Sequence, residues 1–248
     1  MQNLPEHVDI YADSAVYYDA IYAAINKNYD QEAQQINEIV QQYKRSAGNT
    51  LLDIGCGTGG HIPSLRQHYH LEGLDVSSAM LDVARQRHPD ITFYQGDMIS
   101  FDLDHQFDVI TCLFSAIGYV ETTRNLELAL STMSHHLHPG GVLIVEPWFA
   151  LEEFHAGGIH TVFVDQPNLK IARMNISEVK DNLSILNFHY LVATPQGVNY
   201  FTENLILGLF SPAEYLAAFR QAGLEVIHDP QGLTGRGLYI GMRPLTSG

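Results

Sequence analysis

Three acidic residues and a glycine cluster hold the chemistry that spacing alone makes legible. Leu51-Leu52-Asp53-Ile54-Gly55-Cys56-Gly57-Thr58-Gly59-Gly60 carries an apolar run into a glycine-rich turn, and a helical pattern, Ile62 to His68, leaves it. Glycine lets the backbone approach a ligand where a Cβ would clash. The helix start beyond it offers unpaired N–H groups to a carboxylate or phosphate. Asp53 stands two residues before the first glycine. Asp75 closes the next apolar run, Leu71 to Asp75, where a carboxylate can grip two ribose hydroxyls. Gly96-Asp97-Met98 follows the third run, where a carboxylate can accept from an adenine amino group. Taken alone the glycines leave other readings open. Gly55, Gly57 and Gly60 also satisfy G-x-G-x-x-G, the dinucleotide fingerprint, and a purely structural turn needs no ligand. Asp75 could cap the next helix and Asp97 could be a turn aspartate.

These residues need a scaffold, and strand and helix patterns alternate to supply one. Strands are expected at Thr50 to Ile54, Leu71 to Asp75, Ile91 to Gln95, Phe107 to Phe114 and Val142 to Glu146. Helices are expected at Ala79 to Arg87, capped by Ser77 or Ser78, and at Thr122 to Leu137, with His138-Pro139-Gly140-Gly141 as a turn. Phe107 to Phe114 is almost continuously apolar, as a strand buried on both faces must be. Such alternation predicts an α/β fold with a doubly wound parallel sheet, whose ligands sit beyond the carboxyl ends of the strands. After Trp148 the pattern changes. Residues 149–165 read as an irregular loop with a short helix, and three strand-like runs follow: Lys170 to Val179, Leu183 to Ala193 and Val198 to Leu209. Lys180-Asp181-Asn182 and Thr194-Pro195-Gln196-Gly197 are turn chemistry, so these runs are expected to pair antiparallel as a small inserted sheet over the pocket. Ser211-Pro212 opens a helix, Ala213 to Ala222, stopped by Gly223. Leu224 to His228 and Gly237 to Met242 complete a seven-stranded sheet.

The segment before the first strand carries Tyr11, Tyr17, Tyr18, Tyr22 and Tyr29, then a polar helix around Asp30 to Tyr43 in which Ala33, Ile36, Ile39, Val40 and Tyr43 recur at helical spacing. Tyrosine offers a flat apolar body and a polar tip, which suits either packing onto the sheet or a lid over a pocket. The expected organisation is therefore a lid segment at 1–45, a core at 46–148 and 211–243, and an inserted lid at 149–210.

Composition excludes several classes of partner. The chain has 248 residues, 46% hydrophobic, and a formal charge of −15 against thirteen Lys and Arg. That balance argues against nucleic-acid backbones and anionic membrane surfaces, while an anionic small molecule could still be held by one or two well-placed arginines. Cys56 and Cys112 read as packing residues, and no His or carboxylate cluster has metal spacing. Met1 to His7 lacks the basic start and apolar stretch of a signal peptide. With no apolar run near the roughly 18 residues of a membrane span, the expectation is a cytoplasmic monomer or homodimer.

Together the glycine turn, Asp53, Asp75 and Asp97 resemble the class I S-adenosylmethionine-dependent methyltransferases. That resemblance implies a cofactor site of Asp53, Gly55, Cys56, Gly57 and Gly59 with Asp75, Val76 and Met80. Asp97 and Met98 would read the adenine, Leu113 and Phe114 would floor the sulfonium, and Tyr22 would close above. Ala15 to Tyr29, Leu52 to His61, Phe114 to Tyr119, Val145-Glu146-Pro147-Trp148 and Thr234-Gly235-Arg236-Gly237-Leu238 look like the N,N-dimethyltransferases of macrolide amino-sugar biosynthesis. Those enzymes methylate, twice, the amino group of a nucleotide-linked 3-amino-3,6-dideoxyhexose. The resemblance implies that Tyr17, Tyr29, Ser115, Trp148 and Arg236 face the acceptor, with Arg236 on its diphosphate. The alternative for Arg236 is a salt bridge closing the sheet edge. Tyr22, Glu146 and His155 are the candidates for a group acting on the amine. Two departures fall near the acceptor: Phe149-Ala150-Leu151-Glu152 stands where the family often has a second tryptophan and a proline, and Lys27 is one cation where relatives tend to have two.

Overall fold

The computed structural model describes residues 9–245, so the signal-peptide expectation for Met1 to His7 lies outside the described residues. Seven strands form the main sheet: β1 (Thr50–Ile54), β2 (His70–Asp75), β3 (Thr92–Gln95), β4 (Phe107–Cys112), β5 (Leu137–Val145), β10 (Glu225–Asp229) and β11 (Leu238–Met242). Their order is β10-β11-β5-β4-β1-β2-β3. β1 pairs in parallel with both β2 and β4, while β11 runs antiparallel to β5 and β10. The chain winds outward from β1 to β3, then returns to β4 on the other side of β1. The crevice between β1 and β4 is thus the switch point at which doubly wound sheets bind ligands, and the glycine turn leaves β1 there.

Two layers of helix cover the sheet. On one face α5 (Thr123–His135) and α6 (Pro212–Gln221) bury Leu126, Leu130, Met133 and Phe219 against Ile110, Leu143 and Tyr239. Ser211 and Glu214 close a capping box at the start of α6, with Pro212 in its first turn. On the other face α2 (Tyr29–Tyr43) lays Ala33, Ile36 and Val40 onto Leu51, Val109 and Ile144. This helix, grouped by sequence with the lid segment, is one wall of the core. Asn28 caps it by accepting from the Gln31 N–H. The stretch that crosses the strand ends is the preceding one, residues 9–28, which includes a short 3₁₀ turn (Ala15–Tyr17) and α1 (Tyr18–Ala24).

The second sheet has four strands, not the three expected: β6 (Ile159–Gln166), β7 (Leu169–Lys180), β8 (Leu183–Thr194) and β9 (Gly197–Gly208), all antiparallel in chain order. β6 falls in the stretch read as irregular. It is an edge strand with Ile159 and Phe163 exposed and Val162 and Val164 turned inward, so apolar residues fall on both faces and no alternation marks it. Three smaller differences concern element ends. The helix after the glycine turn, α3 (Ile62–Leu65), is shorter than its pattern. The expected turn at 138–141 lies inside β5 as an excursion: pairing with β4 jumps from Phe107↔Leu137 to Val109↔Val142, and Gly140 sits at φ +80°. The fourth strand stops at Cys112 because Phe114 and Ser115 turn left-handed, at φ +51° and +65°. Among the described residues no helix is long and apolar enough to cross a membrane.

Candidate active site at the glycine loop

The loop after β1 is shaped by its glycines. Gly55 and Gly57 take φ +66° and +53°, conformations costly to a residue with a Cβ. A Cβ on Gly55 would meet that of Ala116 at 2.6 Å, whereas one on Gly57 would meet nothing within 4 Å. The back of the loop is packed and its crest is open, which is the cradle a ligand needs. Cys56 is buried behind it, and burial pushes its thiol well above the usual range, so it packs rather than reacts.

Both strand-end acids support this loop. Asp53 is buried on β1 and its Oδ1 accepts from Thr111 Oγ1 of β4 at 2.8 Å. Burial pushes its carboxyl up, with His61 and the Thr111 bond acting against that. Asp75 Oδ2 accepts from the Gly57 N–H at 2.8 Å, and Oδ1 from the Ser77 N–H at 2.9 Å. Burial raises it to about 6 despite those two bonds. It therefore ties the loop to the start of α4 (Ser78–Arg87), where Ser77 caps by accepting from the Met80 N–H. Met80 is buried beneath this helix start and Val76 is half exposed above it. Asp97 turns the chain after β3 by accepting from the Ile99 N–H at 2.9 Å, and Met98 and Ile99 pack on the core.

The far side of the crevice is the Phe114 turn. Glu146, fully buried at the end of β5, holds it: Oε2 accepts from the Phe114 N–H at 2.7 Å. Oε1 accepts from Thr234 Oγ1 at 2.6 Å and from Arg236 Nη2 at 3.0 Å. Three donors leave Glu146 little room to take a proton from an amine, so it positions rather than reacts. Arg236 thus does form the salt bridge weighed as its alternative, but at the crevice: its guanidinium stands 5.5 Å from the Phe114 ring and 5.8 Å from that of Trp148. Ser115 donates to the Pro147 carbonyl at 2.8 Å, and Trp148 Nε1 donates to Ser184 Oγ on the second sheet at 2.9 Å.

Residues 9–28 close over this crevice. Asp9 caps α4, accepting from Ser77 Oγ at 2.7 Å and the Ala79 N–H at 3.0 Å. Asp19 accepts from Thr58 Oγ1 at 2.8 Å and Arg87 at 2.6 Å. Tyr22 meets the Phe114 ring edge-on at 4.9 Å, and Tyr29 lies over Gly60 beside His61. Tyr17 faces the second sheet instead, stacked on Phe201 at 6.5 Å. The cavity left at the loop, lined by Asp53, Gly55, Gly57, Thr58, Leu113 and Phe114 below and Tyr18 and Tyr29 above, is about 30 Å³. That is room for about one water, so the residues fit a nucleoside cofactor in kind while the tyrosines must move to admit one.

His155 is the candidate that the structure does not bring here. It is exposed on the loop before β6, its Nδ1 against the Glu153 carbonyl at 2.8 Å. Conversely, a buried triad escaped the sequence reading. Lys27 Nζ donates to both Glu32 oxygens at 2.7 Å, His61 Nε2 lies 2.8 Å from Glu32 Oε2, and Lys27 sits 3.8 Å over the Phe114 ring. Burial pushes Glu32 up, but the bonds from His61 and Lys27 outweigh it and hold the carboxyl below its usual range. The signal was present: Glu32 falls one position before the apolar Ala33 on the buried side of α2, where a charge needs a partner. Arg173 and Glu203 were missed too, although each shares its strand face with a buried apolar neighbour two places away, Ile171 and Leu205. Among the described residues no cluster of His, Cys, Asp or Glu could hold a metal.

Known proteins match this arrangement. Residues 51–141, from β1 into β5, match a methyltransferase domain family. The chain is 38% identical over 232 residues to dTDP-3-amino-3,4,6-trideoxy-alpha-D-glucopyranose N,N-dimethyltransferase of Streptomyces venezuelae, covering 93% of this chain and 98% of that one. It is 36% identical to dTDP-4-amino-2,3,4,6-tetradeoxy-D-glucose N,N-dimethyltransferase of Saccharopolyspora spinosa, covering 96% and 93%. The crystal structure of Streptomyces venezuelae DesVI superposes with a TM-score of 0.87 at 38% identity, over 92% of this chain and 98% of that one. S-adenosylmethionine-bound CalS10, an amino pentose methyltransferase from Micromonospora echinaspora, gives 0.82 at 36% identity, over 92% and 96%.

Proposed function

This chain belongs to the S-adenosylmethionine-dependent methyltransferases, in the group that includes the nucleotide-sugar N,N-dimethyltransferases, and from that premise we propose that it methylates the amino group of a deoxythymidine-diphosphate-linked deoxyamino sugar, twice. The observation that carries the acceptor reading is that Glu146 binds the Phe114 turn and Arg236 with the two oxygens of one carboxyl. A cation able to take a diphosphate is thereby fixed to the floor of the cofactor crevice in a chain poor in cations. Kinship with the amino-sugar enzymes supports the same reading.

In this reading the Gly57 crest and the start of α3 hold the methionine end of the cofactor. Asp75 takes the ribose, Asp97 the adenine amino group, and Met80 and Met98 pack the ring. The cofactor supplies an activated methyl group on a sulfonium. The protein's part is to align the acceptor nitrogen with that methyl and to exclude water. Tyr22 and Tyr29 close the crevice, and residues 149–210 cover the acceptor, with Trp148 fixed through Ser184. No protein base is assigned: Glu146 is occupied and His155 is outside the crevice.

The test is mass spectrometry of thymidine-diphosphate 3-amino-3,6-dideoxyglucose after incubation with the enzyme and S-adenosylmethionine. Two methyl masses gained through a transient single one are expected. No gain, with S-adenosylhomocysteine still bound by calorimetry, would keep the cofactor site and refute the acceptor.

A further inference from the structure

Residues 9–28 meet the rest of the protein through two kinds of contact. Toward the second sheet the contact is apolar: Ile21 is buried in one cluster with Val164, Ile171 and Leu186, and Ile10, Tyr17 and Ala20 pack on that cluster. Toward the glycine loop and α4 two carboxylates accept from donors of the main domain. Asp9 accepts from Ser77 Oγ, Ser78 Oγ and the Ala79 N–H, at 2.7, 3.2 and 3.0 Å. Asp19 accepts from Thr58 Oγ1 at 2.8 Å with one oxygen and from Arg87 Nη1 at 2.6 Å with the other. The same arginine nitrogen donates to the Thr58 carbonyl at 3.1 Å. Arg87 at the end of α4, Thr58 on the glycine loop and Asp19 on α1 therefore form one cluster. Thr58 is buried, while the side chains of Arg87 and Asp19 are each 37% exposed.

The crevice under this cluster is shut. The space at the loop is about 30 Å³, against the roughly 300 Å³ or more of a pocket that takes a whole small-molecule ligand. Tyr18 and Tyr29 line its upper side, and Tyr18 immediately precedes Asp19. While Asp19 holds α1 on the loop, no nucleoside can enter. α2 does not give way, because Ala33, Ile36 and Val40 are buried in the core. The chain breaks between the two helices at Asn26, exposed and at φ +59°, a conformation that asparagine adopts more readily than most residues. A pivot there lets α1 move while α2 stays. The bonds to Asp9 and Asp19 can be exchanged for bonds to water at small net cost, since both acids are partly exposed. Stripping Ile21 from the second sheet would instead bare apolar surface. The cheaper parting is thus between α1 and the glycine loop.

We propose that Asp19 is the latch of a strap, residues 9–28, that gates the crevice: its carboxylate bridges Thr58 and Arg87 whenever the strap is closed and releases both each time the cofactor enters or leaves. The latch depends on the crevice being the cofactor site and is independent of which acceptor is methylated. It is made in the empty protein and made again over bound cofactor, so weakening it lowers the barriers to entry and to exit alike. Both rates then rise by one factor, and the affinity, which is their ratio, stays where it was. A residue that only shaped the binding loop would weaken affinity by speeding exit alone.

The test is the pair of rate constants for S-adenosylhomocysteine. Association is followed by stopped-flow fluorescence of Trp148, the chain's one tryptophan, which stands at the crevice. Dissociation is followed by chasing tritiated ligand with unlabelled ligand, and calorimetry gives Kd independently. Asp19→Ala should raise both rate constants about fivefold, the worth of a charge-assisted bond at a half-exposed site, with Kd held within about twofold. Asp19→Asn keeps an oxygen for Thr58 and loses the charge facing Arg87, so both should rise about twofold. Where circular dichroism shows Asp19→Ala unfolded, the joint rise in Asp19→Asn carries the test. An association rate unchanged in the folded variant overturns the latch, and so does a dissociation rate that rises alone. Failure of wild type to bind S-adenosylhomocysteine overturns the cofactor site and the latch with it.

Discussion

Removing the Glu146 carboxyl should loosen two things at once, and the two can be told apart. The group is fully buried and accepts from Phe114, Thr234 and Arg236. In Glu146→Gln one side keeps a carbonyl oxygen, while the other becomes an amide N–H₂ facing a donor. If the oxygen turns toward Thr234 and Arg236, the Phe114 N–H is stranded in a left-handed turn. If it turns toward Phe114, the guanidinium and the Thr234 hydroxyl are stranded. Breaking one side of a buried ion pair costs about 3–5 kcal/mol, which for a chain of this length lowers Tm by roughly 10 °C. Arg236→Met should cost a similar amount, because it leaves the buried carboxyl short of its cation. The double variant should lose less than the sum of the singles by about 2 kcal/mol, since the second removal no longer strands a charged partner. Urea denaturation followed by circular dichroism measures all three, and S-adenosylhomocysteine calorimetry adds the functional arm. Glu146→Gln should weaken that ligand because the Phe114 floor is released, and Arg236→Met should not. Single losses that add to within about 0.5 kcal/mol, or equal losses of ligand affinity in both variants, would refute the coupling of the crevice floor to the cation.

Two further outcomes follow from the loop. Burial raises the Asp75 carboxyl to about 6, so folding favours its protonated form, and its contribution to the stability of the ligand-free fold declines as pH climbs from about 4 through about 6. Ribose hydroxyls donating to it would favour the ionised form. Affinity for S-adenosylhomocysteine should therefore fall about tenfold per pH unit below about 6, with proton uptake on release; a flat profile across that window in wild type would remove Asp75 from the ribose. In Gly60→Ala the new Cβ would lie 2.7 Å from the Tyr29 ring, at a backbone conformation alanine accepts. It should cost about 1–3 kcal/mol by urea midpoint, and most of that loss should disappear in a Tyr29→Ala background; an undiminished loss there would show that Tyr29 does not close the loop.

What the amino-acid sequence determined by itself is what local geometry enforces. The strand, turn and helix around Asp53 to Gly60, the caps at Ser77 and Ser211, and the strand-end positions of Asp75 and Asp97 depend on residues a few places apart. Apolar periodicity then implies an alternating fold with its ligands beyond the carboxyl ends of the strands. The structure agrees on the seven strands and on an inserted antiparallel sheet. Tertiary structure decided whatever depends on distant partners. Arg236 lies 90 residues from Glu146, and Asp53 lies 58 from Thr111. No spacing rule predicts that Arg236 meets a buried carboxyl, or that Asp30 to Tyr43 walls the core while the tyrosines before it cover the crevice. The lid shows the same limit from the other side. Met174 and Ile176 are exposed on β7 while Arg173, Asn175 and Ser177 are buried, an inversion of the usual alternation. A strand's two faces are distinguishable in sequence only when burial follows hydrophobicity, and β7 buries Arg173, Asn175 and Ser177 on the same face as Ile171, so neither of its faces is uniformly apolar.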